Sequence, residues 1–178
     1  MSRPLMIVLL LIAGFGQAGA QQAELAPDWA LDSPGLGEVR LSERVEDGPV
    51  ILFFWATWCP FCKALMPHLQ SIELEYGDKV EILALHFRDD NDPEAFIRAR
   101  DYDFTILPGA EPVAELYGVH GTPGIIIVDR ERVQRFNLYD LARPDVPEVV
   151  RERGRNAVAT YLAPRWAAAI RRELDAAQ

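Results

Sequence analysis

A continuous apolar run that passes directly into a helical pattern limits the folds open to this chain. PVILFFW, residues 49–55, holds one proline and otherwise only aliphatic and aromatic residues, over the length of one strand. Such a run is typical of a strand that is buried on both faces of a sheet. From Pro60 to Tyr76 the apolar residues recur at helical spacing instead, and Gly77 supplies a stop signal. The chain therefore places an amphipathic helix directly after a buried strand.

The alternation of strand and helix patterns continues along the chain. KVEILALHF (79–87) and GIIIVD (124–129) predict two further buried strands. Between them, NDPEAFIRAR predicts a helix with Asp92 as its N-cap, YDFTIL a short strand, and EPVAELYG another helix. From about Pro144 the remainder is expected to be helical, with an interruption at Pro164. This order indicates a single α/β domain whose sheet is covered by helices on both faces.

The first twenty residues have the layout of a secretory signal peptide. Arg3 supplies a positive start, Leu5 to Phe15 is almost purely apolar, and Ala18 to Ala20 is a small-residue cleavage site. The apolar core is shorter than the roughly 20 residues that a spanning helix needs, and an uncleaved anchor is the alternative. We therefore expect residues 1–20 to be a signal peptide, residues 21–178 to form one domain, and the protein to be exported to the periplasm.

An acidic composition argues against two classes of partner. The formal net charge is -9 at neutral pH, whereas nucleic acids and anionic lipids attract basic surfaces. We expect neither as a partner. The charged runs FRDDND (87–92) and RERGR (151–155) are interpreted as solvated surface.

The chain contains two cysteines, Cys59 and Cys62, which lie between the predicted strand and helix. As a structural disulfide they would close a ring too small to stabilise the fold much. As half of a metal site they would need about two further ligands, and no two of the histidines His68, His86 and His120 stand at ligand spacing. We therefore expect no metal, and a chemical role for the pair is the leading hypothesis.

The position of Cys59 favours such chemistry. It comes directly before Pro60 at the predicted start of the helix, where unpaired backbone N–H groups and the helix dipole favour a thiolate. A thiolate is the nucleophile in disulfide exchange, and we expect Cys59 to be exposed for this role. Cys62 lies one turn further along, close enough to attack a mixed disulfide formed at Cys59.

These residues resemble a known family. FFWATWCPFC (53–62), Pro67 and GVHGTPGIIIVD (118–129) are similar to thioredoxin-fold proteins, and most of all to the exported TlpA/ResA-like thiol-disulfide oxidoreductases. The resemblance runs from about Ala26 to Tyr139. It implies a thioredoxin fold with a central mixed β-sheet flanked by helices, a helix-strand-helix insert between Asp90 and Gly118, and a helical C-terminal tail.

The same resemblance implies roles for individual residues. Cys59 would be the attacking thiol and Cys62 the resolving thiol, joined in a redox-active disulfide when oxidised. Thr122 and Pro123 would form a cis-proline loop whose backbone pairs with an extended segment of the partner protein. No cofactor beyond the cysteine pair is implied. The contact surface around Cys59 would comprise Trp58, Pro60, Phe61 and Thr122, and Pro67 would kink the helix.

Three positions depart from the related sequences. Phe53 stands where thioredoxins carry a buried aspartate, EILALHF (81–87) lacks its lysine partner, and Leu65 stands where some ResA-like proteins carry a glutamate. No internal base is therefore expected beside Cys62. The Pro60–Phe61 pair places an apolar ring where a strong oxidant's histidine would add positive charge, which favours a reductant.

The three histidines differ in their expected positions. His86 is expected to fill a strand position without an identifiable partner, and His68 to be a surface or half-buried residue. His120 precedes the cis-proline loop and is a candidate for the rim of the site, where its charge would favour a thiolate.

The function predicted on this basis is an exported protein-disulfide reductase. Its partners would be cysteine-containing exported client proteins and a membrane-embedded thiol electron donor. The donor would be needed to reduce the cysteine pair again after each turnover, because the compartment is oxidising. Cytochrome maturation, in which cysteines are reduced before haem attachment, is one client pathway that fits. A disulfide-forming oxidase and a non-catalytic thioredoxin-fold assembly or chaperone module are the alternatives.

Overall fold

The structure is a computed structural model that describes residues 25–142 and 144–177. The signal peptide expected at residues 1–20, with its alternative as an anchor, lies outside the described residues. Within the described part of the chain, no helix is both long enough and apolar enough to cross a membrane.

Strands and helices alternate along the chain as the sequence predicted. The elements, in chain order, are β1 (Ala30–Ser33), β2 (Gly37–Arg40), α1 (Leu41–Arg44), β3 (Val50–Trp55), α2 (Pro60–Tyr76), β4 (Glu81–His86), α3 (Pro93–Arg98), β5 (Thr105–Leu107), α4 (Glu111–Leu116), β6 (Gly124–Val128), β7 (Gln134–Asn137), α5 (Glu148–Arg151) and α6 (Arg155–Ala176). Short 3-10 turns lie at Gly77–Lys79 and Leu138–Asp140. α2 begins and ends at the residues that the apolar spacing predicted.

A five-stranded sheet carries the site, with strand order β5-β4-β3-β6-β7. β3 pairs in parallel with β4, and β4 in parallel with β5, whereas β6 runs antiparallel to β3 and β7. β3 is therefore central, and its register places Trp55 opposite His86 of β4. The mixed sheet and the insert of α3, β5 and α4 agree with the predicted architecture. β1 and β2 form a separate antiparallel hairpin.

Burial of β3 on both faces accounts for its continuous apolar sequence. All six of its residues are fully buried. Ile51, Phe53 and Trp55 belong to a core built with α2 and α6, and Leu52 and Phe54 to a second core built with α1 and α4. Full burial of such side chains contributes roughly 1.5–3 kcal/mol each, so the central strand holds the two helical layers to the sheet.

The C-terminal helix differs from the sequence prediction. α6 continues from Arg155 to Ala176, so the interruption expected at Pro164 is wrong. Pro164 is exposed, whereas Leu162, Ala163 and Ala167 on either side of it are buried, and α6 packs along α2. Packing on both sides of the proline outweighs the loss of one backbone hydrogen bond.

Candidate active site

The end of β3 and the start of α2 position the two cysteines. After Trp55 the chain makes a turn in which the Cys59 N–H donates to the Ala56 carbonyl at 3.1 Å, and α2 begins at Pro60. Cys59 is the N-cap of α2, with φ -78° and ψ 112°. Its sulfur accepts a hydrogen bond from the backbone N–H of Cys62 at 3.1 Å. An N-cap side chain commonly satisfies a free N–H group of the first helical turn in this way.

The pKa values of the two thiols are shifted in opposite directions. The hydrogen bond from the Cys62 thiol is the main cause that lowers the pKa of Cys59 to about 6, and burial only partly opposes it. Thr122 and the backbone N–H groups of Phe61 and Cys62 lower the pKa of Cys59 further. Burial, followed by the hydrogen bond and the charge of Cys59, raises the pKa of Cys62. At neutral pH Cys59 is therefore a thiolate and Cys62 a thiol, and neither is in a disulfide in this structure.

Cys59 is less accessible than the sequence predicted. Only 1% of the residue is exposed, so the expectation of an exposed cysteine is wrong. The residue packs into the core that β3 builds with α2 and α6, and Thr122 of the loop before β6 forms a hydrogen bond with its sulfur. Trp58, by contrast, is 52% exposed, while Pro60 and Phe61 are half-buried. These three neighbouring residues are therefore more accessible than Cys59 itself.

The loop before β6 lies against the cysteine pair. The Thr122–Pro123 peptide bond is cis, as the resemblance to thioredoxin-fold proteins implied. Thr122 is half-buried and forms hydrogen bonds that influence the pKa of both thiols, and Pro123 is buried. The fold thus brings Thr122 to the two cysteines, from which it is about sixty positions distant in the sequence.

An apolar groove of about 500 Å³ lies beside Phe61 and the cis-proline loop. Trp166 of α6 packs against Phe61 here, with the ring centroids 6.1 Å apart. The C-terminal part of the chain therefore extends the surface around the cysteines, whereas the sequence left open whether the apolar face of this helix is core packing or a partner groove. The groove is lined by Phe61, Thr122, Pro123, Leu138, Tyr139, Leu141, Pro144, Val146, Val158, Leu162 and Trp166.

A buried carboxylate holds the loop that precedes Cys59. The side chain of Asp89 is 1% exposed and accepts hydrogen bonds from the Thr57 backbone N–H and from His86 Nε2, the latter at 3.1 Å. It also accepts from the backbone N–H of Asn91 at 3.1 Å, and the Asn91 side chain donates to the Thr57 hydroxyl at 3.0 Å. Although burial alone would raise it, these hydrogen bonds hold the pKa of Asp89 well below its usual range.

Asp89 corrects two interpretations of the sequence. It belongs to FRDDND, so this run is not solvated surface throughout, and it is the partner of His86, for which the sequence indicated none. β3 and β4 are parallel neighbours, so the residues that follow their carboxyl ends meet at one edge of the sheet. An acidic residue two positions after the predicted strand 79–87 was the signal that could have identified this contact.

Apolar side chains occupy the two positions at which the family resemblance led us to look for a base. Phe53 and Leu65 are fully buried, and the Phe53 ring stacks on Trp55 with centroids 6.3 Å apart. Neither position therefore offers a carboxylate to accept the proton of Cys62. Among residues 25–142 and 144–177, no group of three or more histidine, cysteine or acidic side chains could hold a metal ion.

Known proteins resemble this chain over most of its length. A family model described as the AhpC/TSA family matches residues 23–136. The thioredoxin-like protein YneN of Bacillus subtilis is 31% identical over 66% of this chain and 71% of its own. The thiol-disulfide oxidoreductase ResA of Geobacillus thermodenitrificans is 27% identical over 80% of this chain and 89% of its own.

A solved structure supports the same fold. A protein of Chlorobium tepidum, assigned as thiol:disulfide interchange protein DsbE, is similar with a TM-score of 0.59 and 27% identity, over 65% of this chain and 82% of its own. These similarities confirm the predicted thioredoxin fold and the resemblance to ResA-like proteins. The groove-lining residues from Leu138 onward lie beyond the segment that the family model matches.

Proposed function

The chain belongs to the AhpC/TSA family, and we propose that it is an exported thiol-disulfide oxidoreductase that exchanges its Cys59–Cys62 pair with cysteines of other exported proteins. The observation that carries this proposal is the Cys59 sulfur, which caps α2, accepts the Cys62 N–H and has a pKa lowered to about 6. Dithiol–disulfide exchange requires a thiolate beside a second thiol. Relatives named thiol-disulfide oxidoreductase ResA support this activity.

Cys59 is the attacking thiol in this proposal. Its thiolate attacks one sulfur of a client disulfide, so that a bond forms between Cys59 and that sulfur while the client's S–S bond breaks. The electron pair of the broken bond stays on the client's second sulfur, which leaves as a thiolate and takes a proton from water. Because Cys59 is ionised at neutral pH, this step needs no base.

Cys62 is the resolving thiol. While Cys59 is a thiolate, its negative charge contributes to the raised pKa of Cys62 and keeps that thiol protonated. Once Cys59 is bonded to the client, this charge is gone, so the pKa of Cys62 falls. Cys62 then releases its proton to water and attacks the Cys59 sulfur, and the client's first sulfur leaves as a thiolate that is reprotonated. The client has gained two electrons and two protons, and the enzyme is left with a Cys59–Cys62 disulfide.

Reduction is the direction that we propose. The Pro60–Phe61 spacer adds no positive charge beside Cys59, so the thiolate lacks the further stabilisation that makes a pair strongly oxidising. Each turnover then requires an external thiol donor to reduce the pair, and we assign this role to a membrane-embedded protein because the compartment is oxidising. Cysteines that await haem attachment during cytochrome maturation are one proposed client class.

The proposal includes a division of the chain into an export segment and one domain. Residues 1–20 would serve as a signal peptide or as an uncleaved tether, and residues 21–178 would form one domain in the periplasm. The apolar run from Leu5 to Phe15 and the small residues that follow it support export.

Five residues form the client contact surface in this proposal. An extended client segment would pair with the backbone at Thr122 and Pro123, in the manner of a strand added to an edge. Side chains next to the client cysteine would lie against Trp58, Pro60 and Phe61, and the apolar groove continues this surface from Phe61.

Reduction of insulin disulfides in the presence of dithiothreitol tests the enzyme activity. We expect the wild type to accelerate this reduction, and Cys59→Ser to be no faster than dithiothreitol alone. Equal rates for the wild type and Cys59→Ser would contradict the proposal and favour a non-catalytic assembly or chaperone module.

The reduction potential of the cysteine pair tests the direction of electron flow. Equilibration with glutathione at different ratios gives this potential. A reduction potential of about -270 mV, the value of thioredoxin, supports a reductase, whereas a potential of about -120 mV identifies a disulfide-forming oxidase.

A further inference from the structure

Arg88, the second residue after β4, forms hydrogen bonds with both loops of the candidate site. Its backbone carbonyl accepts a hydrogen bond from Trp58 Nε1 at 3.1 Å, on the loop that carries Cys59. Its guanidinium Nη1 donates to the backbone carbonyl of His120 at 2.8 Å, on the cis-proline loop. One residue therefore connects the two loops, although it belongs to neither of them.

The backbone of Arg88 is itself fixed. Its φ of 55° lies in the left-handed region, which residues other than glycine rarely adopt. Its N–H donates to Glu111 Oε1 at 2.7 Å, at the first residue of α4. Because the N–H and the carbonyl of Arg88 are both bonded, its side chain leaves the backbone from a defined position and in a defined direction.

The cis-proline loop is also held by a second side chain. The Tyr139 hydroxyl donates to the Gly121 carbonyl at 2.5 Å. The carbonyls of His120 and Gly121, directly before Thr122, are thus both bonded by side chains from distant parts of the chain. These two bonds restrain the loop up to the residue at which a client backbone is proposed to pair.

We infer that Arg88 is a positioning residue that sets the spacing between the Cys59 loop and the cis-proline loop, and that this spacing selects disulfides carried on extended polypeptides. The inference rests on the proposed function. A client segment that pairs with the Thr122 backbone while its sulfur reaches Cys59 must contact both loops at once. A small displacement of one loop relative to the other would separate these contacts. A small disulfide meets only the sulfur and does not need this spacing.

Two substitutions separate the side-chain contact from the backbone contacts of Arg88. Arg88→Met keeps a long unbranched side chain and the backbone hydrogen bonds to Trp58 and Glu111, but it cannot donate to His120. Arg88→Lys keeps a cationic donor without the planar fork of arginine. The Met variant therefore removes one hydrogen bond between the loops, and the Lys variant retains the capacity to form it.

Arg130 offers a matched control. Its Nη2 donates to the backbone carbonyl of Asp47 at 2.7 Å, so Arg130→Met removes an equivalent hydrogen bond from an arginine to a carbonyl. Arg130 comes just after Val128, the residue of β6 that pairs with the first residue of β3. It therefore lies near the start of β3, whereas Cys59 follows the other end of that strand. A general loss of stability would affect both arginine variants, whereas an effect on client binding should affect only Arg88→Met.

Steady-state rates with two substrates test the inference, with dithiothreitol as the reductant. The substrates are an extended peptide that carries a disulfide and hydroxyethyl disulfide. For Arg88→Met we expect the KM for the peptide to rise about three- to tenfold, the change expected for the loss of one ordinary hydrogen bond, with kcat little changed. The rate with hydroxyethyl disulfide should stay within about twofold of wild type, because that substrate does not pair with the loop. Arg88→Lys should fall between Arg88→Met and the wild type, and Arg130→Met should match the wild type.

Several results would overturn the inference. They are an unchanged peptide KM in Arg88→Met, an equal loss of rate with both substrates, or the same rise in Arg130→Met. If Arg88→Met does not fold, an unchanged peptide KM in Arg88→Lys overturns it instead. Failure of the proposed function is a different result, in which the wild type and Cys59→Ser reduce neither disulfide faster than dithiothreitol alone.

Discussion

The Cys59 sulfur lies 3.1 Å from the backbone nitrogen of Cys62 and accepts its hydrogen bond. The same contact makes Cys59 the N-cap of α2 and favours its thiolate, because free N–H groups at a helix start stabilise negative charge. Cys62, one turn further along, is buried and has a raised pKa. The first turn of one helix therefore holds one thiol that is ionised at neutral pH and one that is not.

The reactivity of Cys59 should follow the ionisation of its thiol. With a pKa of about 6, we expect the rate of alkylation by iodoacetamide to rise with pH through about 6 and then to level off. In Cys62→Ala the midpoint should move upward, because the thiol that donates to Cys59 is removed. A wild-type midpoint at about pH 8.5, which matches the pKa of free cysteine, would contradict the assigned geometry.

Replacement of Cys62 by serine should trap clients. In Cys62→Ser the resolving thiol is absent, so the mixed disulfide at Cys59 cannot be released by the enzyme. We expect adducts with disulfide-containing proteins on non-reducing gels that disappear on addition of dithiothreitol. Cys59→Ser is the matched control and should form none. Adducts through Cys62 in that control would reverse the roles assigned to the two thiols.

Loss of the Asp89 carboxylate should destabilise the protein. Asp89→Ala leaves the Thr57 N–H and His86 without their buried acceptor, and we expect the free energy of unfolding to fall by about 2–4 kcal/mol. Asp90→Ala is the matched control, since the neighbouring residue is exposed and should change this free energy by less than about 0.5 kcal/mol. Urea denaturation measures both values. Equal losses in the two variants would show that the buried contacts of Asp89 do not stabilise the loop.

Glu73 of α2 should make the stability fall as the pH rises. Burial, followed by the charges of Asp103 and Glu81, raises the pKa of Glu73 to about 7, whereas an unfolded chain has a value of about 4.3. The unfolded state loses this proton at lower pH, so the stabilisation that is complete below about pH 4 is lost as the pH rises through about 7. Glu73→Gln should therefore raise the unfolding temperature at about pH 8 but not at about pH 4. An equal change at both pH values would contradict this linkage.

Substitution of Pro164 should stabilise α6. The proline lies inside a continuous helix and is exposed, so alanine would restore a backbone donor without disturbing the core. We expect Pro164→Ala to increase the free energy of unfolding by about 1–3 kcal/mol, measured in urea, with unchanged insulin reduction. An unchanged or lower stability would indicate that packing at this point depends on the proline.

Much of the fold could be predicted because its signals are local. The apolar run of β3 and the spacing of α2 predicted both elements, and α2 has the predicted limits. Asp92 caps α3 as expected. Each of these features depends on residues within a few positions of one another, so one segment of sequence contains the whole signal.

The features that escaped prediction depend on contacts between distant segments. The burial of Asp89 requires that β3 and β4 lie side by side, and the continuity of α6 through Pro164 requires α2 beneath it. Cys59 was expected to be exposed, but it packs into the core built by β3, α2 and α6 and against Thr122. Arg88 carried no sequence signal, because its partners Trp58 and His120 are each about thirty positions away.

The amino-acid sequence places a cysteine where a buried strand ends and a helix begins, and the chemistry of a capped thiolate follows from that local position. The surroundings of the thiolate arise from tertiary packing: the position of the Thr122 loop, the support of Asp89, the connection through Arg88 and the groove formed with α6. The two differ because helix capping depends on adjacent backbone groups. The walls and spacing of a binding site depend instead on which distant segments the packed core brings together.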